Sequence, residues 1–126
     1  MFKIRHSGNF KNTERFFDKA PKREYLRILH SYGQEGVRAL ASATPKDTGE
    51  TAAAWNYEVR STRTGGYLIW TNSKVTSDGT PIVILLQYGH ATRHGGYVKG
   101  QDFINPTLKP IFDRLAEALW LEVKNL

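Results

Sequence analysis

The apolar residues of this chain change their spacing at one break, Thr44-Pro45. Before the break they recur at intervals of three and four, at Leu26, Leu29, Gly33, Val37 and Leu40. This is the period of an amphipathic helix, which Pro21 can open in its first turn. Pro45 ends it, because the residue before a proline is driven out of the helical conformation. The sequence therefore predicts a long helix over residues 21–43, with Gly33 and Gly36 marking either a kink or a close approach to another element.

After the break the spacing becomes that of β-strands. Every second residue from Ala53 to Val59 is apolar, as a sheet with one covered face requires. Gly65-Gly66 predicts a hairpin that leads into a second strand over residues 67–71. Pro81 and the apolar run after it predict a third strand that extends to Tyr88 and is buried on both faces.

The two ends of the chain supply further elements. Phe2, Ile4 and His6 alternate with basic residues, which predicts a short strand or an N-terminal arm within residues 1–10. Asn12 or Thr13 can cap a short helix that runs to Ala20. A final helix begins at Asn105-Pro106, and its apolar positions are Leu108, Ile111, Phe112, Leu115, Ala118, Leu119, Trp120 and Val123.

This order of elements predicts one α+β domain over residues 1–126. We expect N-terminal helices, a three- to four-stranded antiparallel sheet and a C-terminal helix packed on one sheet face. The chain contains no cysteine, which excludes disulfides, thiolate catalysis and cysteine-based zinc sites and suits a reducing cytoplasm. Its longest apolar run, residues 82–86, is too short to cross a bilayer, so we expect no membrane partner.

The net charge of +6 is unevenly distributed. Residues 1–30 carry eight Lys or Arg against three Asp or Glu, and residues 61–101 carry four against one. Basic charge concentrated in this way can meet nucleic acid or an acidic protein surface, although most such residues form solvated surface.

The sequence shows no catalytic arrangement. His90 and His94 are four residues apart, but the glycines around them predict a loop, and no third metal ligand stands nearby in the sequence. The carboxylates form no recognisable pair, and the serines lack the context of a nucleophile elbow. We therefore expect neither an enzyme nor a cofactor or metal site.

Two stretches resemble the signature of a known family. Ala43-Thr44-Pro45-Lys46-Asp47-Thr48-Gly49, followed by Glu50-Thr51-Ala52-Ala53-Ala54-Trp55, is similar to the x-P-x-D-T-G-x-L pattern of the tail-component family of long-tailed phages (siphophages). The second stretch is Leu85-Leu86-Gln87-Tyr88-Gly89, a loop over residues 90–101, and then Asp102-Phe103-Ile104-Asn105-Pro106-Thr107-Leu108. The resemblance spans about residues 20–126. The chain departs from the family at Glu50-Thr51-Ala52 and in its loop rich in His, Arg and Gly.

The resemblance implies a structural virion protein of the head–tail junction, a neck or tail-completion subunit made in the host cytoplasm. Its expected partners are copies of itself in a ring, a head connector or head-completion protein, and a tail terminator or tail tube protein. The expected structural turn is Pro45, Asp47, Thr48 and Gly49. The expected assembly loop and interface residues are Tyr88, Gly89, His90, Arg93, His94, Tyr97, Lys99, Phe103 and Pro106.

Basic residues near the N-terminus are expected to face packaged DNA in the channel of such a ring, with non-specific phosphate contacts. They are Lys3, Arg5, Lys11, Arg15, Lys19, Lys22 and Arg23. The alternative is a small basic nucleic-acid-binding module or an RNA-cleaving toxin, because the mixture of His, Arg, Tyr and Lys in residues 90–101 can contact phosphate and stack on bases. The same glycine-rich loop can instead be mobile and become ordered on a partner, and the resemblance favours assembly.

Overall fold

The structure is a computed structural model that describes residues 2–7, 22–45, 49–61, 66–92 and 94–124. In chain order the described residues form β1 (Phe2–Ser7), α1 (Lys22–Ala43), α2 (Glu50–Ala53), β2 (Trp55–Ser61), β3 (Gly66–Asn72), α3 (Ile82–Tyr88), β4 (Gly89–Ala91), β5 (Tyr97–Lys99) and α4 (Ile104–Lys124). The predicted α+β fold is confirmed, with α1 and α2 in the N-terminal half and α4 near the C-terminus. The short helix predicted up to Ala20 lies outside the described residues.

The main sheet has β3 between β1 and β2, and both pairings are antiparallel. Tyr57 of β2 stands opposite Trp70 of β3. Because side chains alternate along a strand, Trp55, Tyr57 and Val59 share one face of the sheet with Leu68, Trp70 and Asn72. Helix α1 packs on this face. The predicted alternation is thus confirmed from Trp55 onward, whereas Ala53 belongs to α2 and is exposed.

The predicted third strand is wrong, because Ile82–Tyr88 forms helix α3. Its buried residues, Val83 and Gln87, are four positions apart, which is the spacing of a helix face. Both sides of β3 are already paired, one of them by the N-terminal strand β1, so the apolar run has no place beside it in the ladder. A short continuous apolar run fits either a buried strand or a buried helix. Here both positions beside β3 are already taken, so the run forms a helix.

Helix α1 contacts the sheet through its two glycines. A Cβ atom on Gly33 would stand 2.7 Å from Cε2 of Tyr57, and one on Gly36 would stand 2.5 Å from Cε2 of Trp70. Both distances are shorter than any ordinary van der Waals contact. The predicted close approach is therefore confirmed, and Trp70 Nε1 uses it to donate a hydrogen bond of 2.9 Å to the carbonyl oxygen of Gly33.

The buried stripe of α1 is rotated slightly from the predicted one. The structure buries Tyr25, Leu29 and Leu40 together with the two glycines, while Leu26 and Val37 are half-buried at its margin. Tyr25 was not in the predicted stripe. Burial raises the pKa of Tyr25 to about 12, so this phenol is neutral at physiological pH.

Helix α4 packs against α1 and extends the core away from the sheet. It buries Ile104, Leu108, Ile111 and Leu115. Phe112 reaches the sheet, with its ring centroid 5.6 Å from that of Trp70. On the other side of the helix, Arg114 forms an ion pair with Glu35 of α1. The predicted apolar face is confirmed from Leu108 to Leu119, whereas Trp120 is 57% exposed. The side chain of Val123 lies outside the described part of the chain.

The glycine contact generates a stability prediction. Gly36→Ala should lower the free energy of unfolding by about 1–3 kcal/mol, because the added methyl group would overlap the Trp70 indole in a packed core. Urea denaturation measures this change. Gln34→Ala, at an exposed position on the same helix, should change stability by less than about 0.5 kcal/mol. A Gly36→Ala protein stabilised by about 1 kcal/mol, as helix propensity alone would give, would contradict the contact.

Candidate functional site: the signature turn and a projecting hairpin

The side chain of Thr44 links the end of α1 to the start of β2 by hydrogen bonds. Its hydroxyl donates a hydrogen bond of 2.5 Å to the carbonyl oxygen of Leu40 and accepts one of 2.8 Å from Trp55 Nε1. Thr44 is buried, so both partners of this hydroxyl lie in the interior. The hydrogen bonds hold together the two ends of the segment that carries the family-like signature.

Gly49 has the backbone conformation that the signature predicts. Its φ of 85° lies in the left-handed region that favours glycine, and its carbonyl oxygen accepts the first hydrogen bond of α2, from Ala53 at 3.0 Å. Pro45 is half-buried just after α1. The other two predicted turn residues, Asp47 and Thr48, lie outside the described residues. The structural role of the turn is thus supported at Gly49, where the chain changes direction.

Asn72 anchors the short helix α2 to the sheet. Its side-chain Nδ2 donates to the carbonyl oxygen of Thr51 at 2.8 Å, and its Oδ1 accepts from the backbone N–H of Lys74 at 3.0 Å. Lys74 also forms an ion pair with Glu50 at 3.3 Å. The end of β3 therefore fixes the position of the segment that follows the signature turn.

A second ordered connection lies between β3 and α3. The Thr76 hydroxyl and the Thr80 N–H both donate hydrogen bonds to the carboxylate of Asp78. These hydrogen bonds, of which the one from Thr76 has the largest effect, hold the pKa of Asp78 below its usual value. Asp78 is exposed, and its role here is to shape the turn.

The predicted loop over residues 90–101 contains a short β-hairpin. Strands β4 and β5 pair antiparallel, with Gly89 opposite Lys99 and Ala91 opposite Tyr97. The expectation of an irregular loop is therefore wrong at both strands. Periodicity could not predict this element, since each strand has only three residues.

Two glycines form the base of the hairpin. Gly89 has a φ of 86°, and a Cβ atom on it would stand 2.7 Å from the backbone nitrogen of Gly100. A Cβ atom on Gly100 would stand 2.5 Å from the backbone nitrogen of Gly89. The two chain segments cross with their backbones in contact, which only glycine permits at this spacing.

The hairpin presents apolar side chains to solvent. Tyr88 is 68% exposed, Tyr97 67% and Val98 46%. The Tyr97 hydroxyl donates to the backbone carbonyl oxygen of Tyr88 at 3.2 Å, which links the Tyr97 side chain to the end of α3. All three residues of β5 are exposed, whereas Gly89 and His90 of β4 are half-buried, so β5 is the more exposed strand of the hairpin.

Gln87 fixes the end of α3 to the start of α4, a role that was not predicted from the sequence. Its Oε1 accepts the backbone N–H groups of Phe103 and Ile104 at 3.1 and 3.2 Å, and its Nε2 donates to Oδ1 of Asp102 at 2.6 Å. A helix leaves its first N–H groups without partners inside the helix, and Gln87 satisfies two of them here. The signal was visible in the sequence as one polar residue at the end of a continuous apolar run.

Phe103 and Pro106 have different surroundings. Phe103 was expected to reach a neighbouring subunit, but the structure buries it in the core at 3% exposure. The reason is that Gln87 draws the start of α4 against the end of α3. Pro106 is exposed in the first turn of α4. The helix begins at Ile104, slightly earlier than Asn105-Pro106 predicts.

The two histidines of this region do not form a ligand set. His90 is half-buried in β4, with its Nδ1 3.2 Å from the carbonyl oxygen of Ala91, and His94 is exposed in the turn of the hairpin. Within the described residues there is no group of three His, Cys, Asp or Glu that could hold a metal ion. Arg93 lies outside the described residues.

The structure describes only part of the predicted DNA-facing group. Lys3 and Arg5 are in β1, in register with Thr71 and Ile69 of β3. Lys22 and Arg23 open α1. The other three, Lys11, Arg15 and Lys19, lie outside the described residues. The structure therefore brings two of these basic residues to the sheet and two to the start of the long helix.

No helix in the described part of the chain is long and apolar enough to span a membrane. Comparison with protein-family models, with curated proteins and with solved structures finds no match to this chain.

The Gln87 contacts generate a second stability prediction. Gln87→Leu should lower the free energy of unfolding by about 2–4 kcal/mol, because two buried N–H groups at the start of α4 would lose their acceptor. Chemical denaturation measures the loss. The matched control is Gln101→Leu, at an exposed position near the hairpin base, which should cost less than about 0.5 kcal/mol. Equal stability of the two variants would show that Gln87 does not anchor α4.

Proposed function

We propose that the chain is a structural protein of the phage head–tail junction, a neck or tail-completion subunit whose work in virion assembly is to bind other subunits. The observation that carries the proposal is an exposed apolar surface formed by Tyr97 and Val98 of the hairpin and by Tyr88 at the end of α3. An exposed apolar projection of this kind is typical of a surface that a partner covers. The first family-like stretch contains the turn around Gly49, and the second includes the hairpin and the residues on either side of it.

Rigid anchoring suits an assembly role. The backbone contact between Gly89 and Gly100 brings the two ends of the hairpin together, and the hydrogen bonds of Gln87 connect the chain segments on either side of it. A surface held in one orientation loses less conformational entropy when a partner binds than a freely moving loop does. The partners in this proposal are further copies in a ring, a head connector or head-completion protein, and a tail terminator or tail tube protein. The chain acts in the host cytoplasm during assembly and then in the neck or tail of the virion.

Packaged DNA is a further partner in the proposal. Lys3, Arg5, Lys22 and Arg23 carry positive charge near the N-terminus, and a neck ring encloses the path of the DNA. Contacts with phosphates depend on charge alone and read no sequence, which suits a channel through which any part of a genome passes.

The proposed function can be tested by measuring whether phage heads and tails join in an extract. A phage that lacks this gene should yield DNA-filled heads and separate tails, and purified protein should restore joined particles, which electron microscopy counts. Val98→Asp should fail to restore them, because it places a charge on the hairpin surface. Val75→Asp is the control: Val75 is 41% exposed, similar to the 46% of Val98, but lies outside the hairpin.

Two results would contradict the proposal. One is normal joining of heads and tails without the protein. The other is RNA cleavage by the purified chain, or tight nucleic-acid binding that is lost steeply with added salt, together with no effect on joining.

A further inference from the structure

The outer side of α4 carries an exposed apolar patch near the C-terminal end of the helix. Trp120 is 57% exposed and Leu121 48%, so a large indole and a leucine face solvent beside each other. The core contacts of this helix are made on its opposite side, by residues such as Leu108 and Leu115. The patch is therefore open to a partner, and the charges around it decide which partner fits.

Two residues of opposite charge flank this patch along the helix axis. Glu117 is three residues before Trp120, and Lys124 is three residues after Leu121. At about 100° of rotation per residue, spacings of three, four and seven place all four side chains on one face.

Both charged residues of this face are exposed, and neither pairs with an opposite charge among the residues that the structure describes. Lys124 lies over the ring of Trp120 instead, with its Nζ 5.9 Å from the ring centroid. The carboxylate of Glu117 and the ammonium group of Lys124 are thus both available to a partner. We name Glu117, Trp120, Leu121 and Lys124 the α4 outer face.

The α4 outer face is complementary to itself. Its apolar pair lies at the centre, and its acid and its base lie at equal distances on either side. Two such helices can lie antiparallel, with a two-fold axis that passes between positions 120 and 121. Glu117 of each copy then stands opposite Lys124 of the other, while Trp120 meets Trp120 and Leu121 meets Leu121.

This charge pattern favours a second copy over other occupants. One acid and one base give the face no net charge, so it attracts neither nucleic acid nor a strongly basic protein. A second copy in the antiparallel orientation gains two ion pairs and covers the apolar side chains of both helices. In the parallel orientation like charges would oppose each other, so the pattern also selects the direction of pairing.

We propose that two copies of the chain associate through the α4 outer face, with their α4 helices antiparallel. The contact is isologous, because both copies use the same surface. A standard interface buries about 800 Å² on each partner, and a contact over about two helical turns buries less. The dimer is therefore weak and forms reversibly as the protein concentration rises.

This inference goes beyond the proposed function and does not depend on it. The hairpin adjoins the first turn of α4, which lies more than about 20 Å from Trp120 along the helix. The contact between the helices therefore leaves both hairpins uncovered, and further partners can still bind them.

Variants with altered charge test the pairing, with sedimentation equilibrium up to the solubility limit as the measurement. Glu117→Lys makes both charged positions of the face basic, and Lys124→Glu makes both acidic. Each variant alone should dimerise about tenfold more weakly than the unchanged chain, because two ion pairs are replaced by two repulsive contacts. An equimolar mixture of the two variants should recover dimerisation, because each ion pair forms again between unlike copies.

Glu122→Lys is the matched control for the change in net charge. Glu122 is exposed on the same helix, but it is two residues from Trp120 and so lies on another side of the helix. This variant should dimerise within about twofold of the unchanged chain. Recovery in the mixture shows in addition that the two variants of the outer face still fold.

Introduced thiols locate the two-fold axis, because the chain contains no cysteine. Leu121→Cys places two thiols close to the axis in the dimer, and a short bismaleimide can join them. Lys109→Cys is exposed on the same helix, but in an antiparallel pair it would stand more than about 30 Å from its counterpart. The first variant should be joined on the order of tenfold more than the second, because pairing raises the effective concentration of its thiols.

A chain that stays monomeric at every concentration would overturn the inference. Equal weakening by Glu117→Lys and Glu122→Lys would also contradict it, and so would equal joining of the two thiol variants or a mixture that does not recover. These outcomes are separate from the proposed function. Heads and tails can be joined by a protein whose α4 helices never pair, and a paired chain that plays no part in joining would remove the phage function alone.

Discussion

The packing of Trp70 against the glycines of α1 is the contact on which the rest of the structure depends. Trp70 lies in the central strand and is fully buried. Gly33 and Gly36 have no side chain, so the helix backbone comes close enough to accept a hydrogen bond from the indole nitrogen at 2.9 Å. Phe112 of α4 packs against the same ring. One side chain thereby connects the sheet, the long helix and the C-terminal helix.

The position of the hairpin follows from this core through a short series of contacts. Helix α4 packs along α1, and its first N–H groups are bound by Gln87. Gln87 is near the end of α3, and the hairpin begins two residues later at Gly89. The hydrogen bonds of Gln87 therefore hold the start of the hairpin relative to the core, while Tyr88 and Tyr97 remain exposed. Such an arrangement separates the part that folds the domain from the part that is free to bind.

Much of the fold could be predicted because each element carried its own local pattern. Helix α1 had a helical spacing of apolar residues and recognisable ends, and strand β2 had strict alternation of apolar and polar residues from Trp55. Gly33 and Gly36 stood at helix positions where only close packing or a kink explains a glycine. The helical conformation of residues 82–88 could not be predicted, because a continuous apolar run has no period. The segment does not pair with β3 because β1 already occupies that side of the strand. That pairing joins residues far apart in sequence.

The candidate site was less predictable. The turn residue Gly49 was recognisable because a left-handed conformation demands glycine, and the structure gives it a φ of 85°. The role of Gln87 depends on three groups at residues 102–104, and no local pattern links them. The prediction that Phe103 contacts a neighbouring subunit was wrong for the same reason, since the burial of Phe103 follows from the Gln87 contacts. A tertiary hydrogen-bond network of this kind becomes visible only when the chain is folded.

The central claim is that a rigid core presents the hairpin as a surface that assembly covers. Amide hydrogen exchange on the free and the assembled protein tests it most directly. The account predicts that amides of β3 and of α1 near Gly33 and Gly36 exchange slowest in both states. It also predicts that amides of residues 89–99 become more protected on assembly than they are in the free chain. Equal protection of residues 89–99 in the two states would contradict the account.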